Sequence, residues 1–260
     1  VVEFVAIKSM ARKSKRSGNI DHILRDWPYD PQGISVRLSS GADGREVLQM
    51  RVDLGVLQLE ITGRPDGTQP HDHETFTDYL LATVDDHGSD YRMTEEDCEE
   101  ADREFVQFYH RRICWLALKQ FANAVRDADH TLRLMDLCRD HSPDEQWTIS
   151  HEQYRPFVLF HRTQASALAK LADKQPEAAI QEINTGLTTM RALFEKYEAD
   201  EHFENDELVQ RLIETRETVR ADYSIARTLE EQLADAIEHE KYELAAKLRD
   251  EINGRSPHRR

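Results

Sequence analysis

Residues Leu229 to Ile252 read LEEQLADAIEHEKYELAAKLRDEI. Apolar or small residues fall at Leu229, Leu233, Ala236 and Ile237, and again at Tyr242, Ala245, Ala246, Leu248 and Ile252. Three-to-four-residue spacing within each half predicts two amphipathic helices. Between them His239-Glu240-Lys241 interrupts the phase with three polar residues, and a short polar break of this kind predicts an antiparallel helical hairpin. Ala245 and Ala246 carry almost no side chain, so the second helix can approach a neighbour closely. A segment of about 24 residues buries little surface alone, so the hairpin is expected to seek a partner surface. That marks an interaction module and not a catalyst.

The pattern Leu-x3-Leu-x2-Ala-Ile followed by Tyr-Glu-x-Ala-Ala-x-Leu-Arg-Asp-x-Ile resembles the UVR motif. That motif closes the bacterial excision-repair proteins UvrB and UvrC and recurs in Clp-type ATPases and their regulators. The matching positions are Leu229, Leu233, Ala236, Ile237, Glu240, Tyr242, Glu243, Ala245, Ala246, Leu248, Arg249, Asp250 and Ile252. Asn253-Gly254 stands where the motif has a further apolar turn, so the second helix is expected to be short. The resemblance implies pairing with a matching hairpin on a UvrB-, UvrC- or Clp-like partner, or on a second copy of the chain. It implies no enzymatic activity. The expected partner-binding residues are Leu229, Leu233, Ala236, Ile237, Tyr242, Ala245, Ala246, Leu248, Arg249 and Ile252, with Arg249 pairing a carboxylate across the interface.

Upstream, neither glycine nor proline occurs between Gly186 and Gly254. Asn205 or Asp206 can cap a helix running to about Glu238, with Leu208, Leu212, Thr215, Val219, Ala226, Leu229 and Leu233 near heptad spacing. At ~1.5 Å per residue it would be about 45–50 Å long. From Thr94, an N-cap followed by Glu95, Glu96 and Asp97, four further helices are expected. The first reaches about Gln120 and the second starts at Phe121. The third follows a capping box of Ser150 and Gln153, and the fourth opens at Pro176. Trp115 to Val125 parallels Leu168 to Ile180, each a helix end, a short turn and an Ala-apolar pair. That is similar to a tetratricopeptide (TPR) hairpin, at a longer period than the usual 34 residues; an ordinary helical bundle is the competing reading.

Before Thr94 the grammar changes. Ile34 to Ser39 and Val47 to Val52 alternate, Gly41-Ala-Asp-Gly44 and Asp53-Leu54-Gly55 supply turns, Val56 to Ile61 follows, and Arg64-Pro65-Asp66-Gly67 closes the unit. A small antiparallel sheet is expected, packed on the helices because two or three strands are marginal alone. The fold class is therefore mainly α: TPR-like hairpins, a long C-terminal helix with a UVR-type hairpin, and a small N-terminal β region. The divisions are a basic tail 1–20, a β-containing region 21–93, a helical body 94–204, the long helix and hairpin 205–253, and a basic tail 254–260.

The formal charge of −16 opposes broad contact with nucleic acid. Basic exceptions are Lys8, Arg12, Lys13, Lys15 and Arg16 at one end and Arg255, His258, Arg259 and Arg260 at the other. Cys98, Cys114 and Cys138 contain no Cys-x2-Cys pair, which argues against structural zinc and for reduced thiols in the cytoplasm. No apolar run approaches the ~20 residues of a membrane span, so a soluble protein is expected. Phosphate-loop, dinucleotide and Gly-x-Ser-x-Gly signatures are missing, and no nuclease pattern accompanies the hairpin, so the chain is neither UvrB nor UvrC.

The chemical alternative lies near the N-terminus. His71 and His73, in His71-Asp72-His73-Glu74, could share a metal completed by Asp53 or Glu60, and Arg51, Asp53 and Glu60 could form a recognition face. A solvated loop and cross-strand ion pairs explain the same residues. His110, His130 and His161 read as structural, and Tyr109, Trp115 and Phe121 as core. The leading expectation is a non-enzymatic adaptor without a cofactor. The rival is a metal-dependent enzyme or small-molecule binder.

Overall fold

The computed structural model describes residues 19–88 and 90–255; residues 1–18 and 256–260 of the basic tails lie outside them. Helix α1 (Asp21–Asp26) precedes a sheet of β1 (Ser35–Ser40), β2 (Glu46–Val52) and β3 (Gly55–Glu60), then a 3₁₀ turn at Pro70–Asp72. The rest is helical: α2 (Phe76–His87), α3 (Glu95–Ala117), α4 (Phe121–His141), α5 (Glu145–Glu152), α6 (Arg155–Ala172), α7 (Pro176–Lys196), α8 (Asp200–Phe203), α9 (Glu207–Tyr223), α10 (Leu229–Glu238) and α11 (Tyr242–Arg255). No helix among the described residues is long and apolar enough to cross a membrane.

The sheet is an antiparallel meander in the order β1-β2-β3, with Leu38 opposite Leu48 and Leu48 opposite Leu59. These residues share one face by the two-residue period. That face packs on Cys114 and Trp115 near the end of α3 and on Ala124 in α4. The Arg111 guanidinium locks the join from inside. It donates to both carboxylate oxygens of Asp127 at 2.8 and 2.9 Å, and to the carbonyl of Gly63 at 2.7 Å.

The hairpins α3–α4 and α6–α7 are those expected from the Trp115–Val125 and Leu168–Ile180 parallel. Both turn in the same way. Lys119 and Lys174 take left-handed φ values of 57° and 59°, and Gln120 and Gln175 donate back to the carbonyls of Trp115 and Lys170 at 2.9 Å. This is the six-to-one bond of a Schellman end. Four residues after each of those glutamines stands a buried alanine, Ala124 or Ala179, which lets the return helix approach closely. Gly186 on α7 makes the close approach possible there: a Cβ would stand 2.1 Å from the Thr163 hydroxyl of α6. A second core of Phe160, Ile183, Leu187, Met190, Phe203, Val209 and Leu212 joins α6, α7, α8 and α9.

Three helix boundaries differ from the sequence expectation, the simplest being α11, which was expected to stop short at Asn253-Gly254 and instead runs through both to Arg255. Ser150 does not cap the third body helix: it lies inside α5, whose N-cap is Asp144 accepting from the Gln146 N–H at 2.8 Å, and α6 starts at Arg155 with Pro156 in its first turn. The helix expected to run unbroken to Glu238 ends at Tyr223, with Ser224 left-handed at φ 54°. A new N-terminus explains the break. Thr228 and Glu231 form a complete capping box, which fixes the start of α10 at Leu229. Asp206 caps α9, as anticipated.

Candidate docking site

Helices α10 and α11 form the predicted hairpin. Glu240 is left-handed at φ 53°, and the Lys241 N–H donates to the Ala236 carbonyl at 2.7 Å. The connection therefore repeats the Lys119 and Lys174 turns, and Ala245 holds the place of Ala124 and Ala179. Ala236, Ala245 and Leu248 are 0%, 8% and 6% exposed, with Leu229 and Leu233 packed against them. Among the described residues, none of the body belongs to this cluster. The hairpin thus closes a small seam of its own.

That closure divides the expected docking residues into two sets. Leu229, Leu233, Ala236, Ala245 and Leu248 face each other inside the hairpin. Ile252 is half-buried, while Ala246 and Arg249 are exposed. Ile237 and Tyr242 are 56% and 68% exposed, and Leu244, which the motif reading passed over, is 45% exposed. The last three lie in the final turn of α10 and the first turn of α11, so they gather at the hairpin tip. The phase of α10 explains the split. Leu229, Leu233 and Ala236 form an i, i+4, i+7 stripe, and Ile237 is rotated about 100° from Ala236. Leu244 stands four residues before Leu248, a legible signal. Within this chain the Arg249 guanidinium lies 3.6 Å from Asp250, with both side chains exposed, a pair worth about 0–1 kcal/mol.

The root of the hairpin is polar. The Glu231 carboxylate accepts from the Arg220 guanidinium of α9 and the Asn184 amide of α7, and from the Thr228 N–H at 2.7 Å. Burial favours its protonated form, but these donors, Arg220 foremost, outweigh burial and hold its pKa below the ordinary carboxylate value.

The N-terminal alternative is distributed differently. Arg51 is buried, donating to the backbone carbonyls of Trp27 at 2.8 Å, Gly55 at 2.9 Å and Asp53 at 3.2 Å. It is a clamp on the sheet and the segment after α1. Glu60 binds Arg45 at 2.7 Å. His71 stacks on Tyr79 at 4.0 Å, and His73 Nδ1 lies 2.8 Å from the His71 carbonyl. These groups do not converge, and among the described residues no cluster of three His, Cys, Asp or Glu side chains could hold a metal.

One buried constellation was not foreseen. Glu104, fully enclosed, accepts from the N–H groups of Phe76 and Thr77 at 2.8 and 2.9 Å, from the Thr77 hydroxyl at 2.7 Å, and contacts His130 Nε2 at 2.8 Å. Thr77, His130 and Glu104 superficially suggest a catalytic triad. However, the same His130 nitrogen faces both the Thr77 hydroxyl and the carboxylate, so the ring cannot relay a proton between them. The carboxylate instead caps the start of α2. A cavity of about 820 Å³ lies elsewhere, among Ile149, Pro156, Leu193, Phe194 and Tyr197.

Comparison with protein families places a UVR motif, described as the UvrB/uvrC motif, on residues 224–254. The match begins at the left-handed Ser224 that ends α9 and covers α10 and all but the last residue of α11. No curated protein and no solved structure matches the chain.

Proposed function

We propose that this protein is a non-enzymatic adaptor of the cytoplasm that docks on another protein through the tip of its C-terminal hairpin. The carrying observation is that the UVR segment satisfies its own seam and still leaves Ile237, Tyr242 and Leu244 in water. Exposed large apolar side chains gathered at one end of a small element suit a protein contact. The body would serve as the platform that presents it. The partner is a protein with a matching helical hairpin, UvrB-, UvrC- or Clp-like, or a second copy of this chain. A link to excision repair or Clp-type proteolysis rests on the motif.

The test uses the full chain as bait beside an Ile237→Ser, Tyr242→Ser, Leu244→Ser triple variant. The wild type should retain a defined partner, or its own untagged copy, that the triple variant loses. Equal retention by the two baits, with the variant folded by circular dichroism, would dismiss the proposal.

A further inference from the structure

We propose that Glu231 is a latch that fixes the hairpin to the body in one orientation, an inference that rests on reading the hairpin as the docking element. The seam cluster of the hairpin includes no body residue, so apolar packing of that cluster does not hold the two together. The connection is short and non-helical, from Ser224 to Thr228, and it begins at a left-handed residue. The polar contacts described between α10 and the body converge on one carboxylate. Arg220 in α9 and Asn184 in α7 both donate to Glu231, and Arg216 in turn donates to the Asn184 side-chain Oδ1 at 3.0 Å.

Arg220 makes the arrangement asymmetric. It is 6% exposed, and its Nε and Nη1 atoms have no hydrogen-bond partner; Glu217 approaches Nε only to 3.6 Å. Glu231 therefore carries most of the compensation for a buried cation. Removing the Glu231 charge while Arg220 stays enclosed would strand that cation, which favours the closed, paired state. Glu231 also sits third in α10 and completes the Thr228 capping box. One side chain thus starts the hairpin and anchors it, while the apolar tip stands at the opposite end of α10. With the latch closed the tip is held at a fixed distance from α7. With it open, the hairpin pivots about residues 224–228.

Glu231→Gln separates the two roles: its single amide oxygen can keep the capping bond from the Thr228 N–H, while an NH2 group replaces the charged oxygen that accepts from Arg220 and Asn184. Spin labels are placed at Glu177→Cys on α7 and Lys247→Cys on α11 of the full chain, with Cys98→Ser. Electron–electron resonance should give one narrow distance in this background and a broad distribution after Glu231→Gln. Amide exchange at residues 224–228 should rise about tenfold, the scale of a lost charge-assisted bond. Asn184→Ala, which keeps the charge pair, should broaden the distances less. Thr228→Val should fray α10 and leave the distance narrow. A narrow, unshifted distance in folded Glu231→Gln protein would overturn the latch. Failure of the docking proposal is read separately, by partner capture with the latch intact.

Discussion

Ala245 and Ala246 are neighbours of identical chemistry with opposite environments, and substituting leucine at each tests how the hairpin is built. Ala245 is enclosed by Ala236, Leu248, Leu229 and Leu233, whereas Ala246 is exposed. Leucine at 245 forces three further heavy atoms into a seam closed by two alanines, and overpacking of this kind costs about 1–3 kcal/mol. A two-helix element this small holds little net stability, because its few buried side chains barely exceed the entropy of ordering it. A cost of about 2 kcal/mol is close to thirtyfold in the open-to-closed ratio. Leucine at 246 stays in water with nearly the helix propensity of alanine, so its effect should remain within about 0.5 kcal/mol. Amide exchange read by mass spectrometry separates the two. Ala245→Leu should remove most of the protection across α10 and α11, up to the thirtyfold limit, and leave α3 to α9 unchanged, because the seam shares no buried residue with the body cores. Equal protection in the two variants, or loss that spreads into α6 and α7, would refute this packing.

Two further outcomes concern the body. Burial foremost, then the cationic Arg112 and Arg211, push the His161 pKa down from 6.5 to about 4. The folded protein therefore stays neutral at His161 while the unfolded chain takes up a proton. This contribution to stability is fully present above pH 6.5 and is lost as pH falls through about 4, with a limiting slope of about 1.4 kcal/mol per pH unit. The His161 ring signal in a nuclear magnetic resonance titration should move near pH 4; movement near 6.5 would contradict the burial argument. Glu104→Ala should cost about 3–5 kcal/mol in urea unfolding, because it strands His130 and the first amides of α2. A loss below about 1 kcal/mol would show that the buried carboxylate is dispensable.

The apolar stripes from Thr94 to Tyr197 made the body helices legible, and alternation did the same for the three strands. Thr94 is the N-cap it resembles, its box with Asp97 complete. What stayed hidden was either reciprocal or distant. No glycine or proline marks Ser224, so the break after α9 was to be found only in the Thr228-to-Glu231 spacing, which the apolar periodicity of a continuous helix masked. Lys119, Lys174 and Glu240 occupy left-handed turn positions that favour glycine, so a search for glycine passes them by. The helix α2 carries the signal of its own cap, Thr75, but the Glu104 carboxylate that also holds its start arrives from 28 residues along the chain. At the hairpin, spacing identified the apolar residues without saying which ones face each other. The antiparallel turn at Glu240 decides that, closing Ala236, Ala245 and Leu248 together and leaving Ile237, Tyr242 and Leu244 outside.

The most direct measurement places a photo-reactive benzoylphenylalanine at Tyr242 of the tip and, separately, at Leu54, which is 90% exposed in the β2–β3 turn. Irradiation of the chain in its native extract should join position 242 to a discrete second polypeptide, and position 54 to none. No adduct at 242, or the same adducts from both positions, would contradict docking through the hairpin tip.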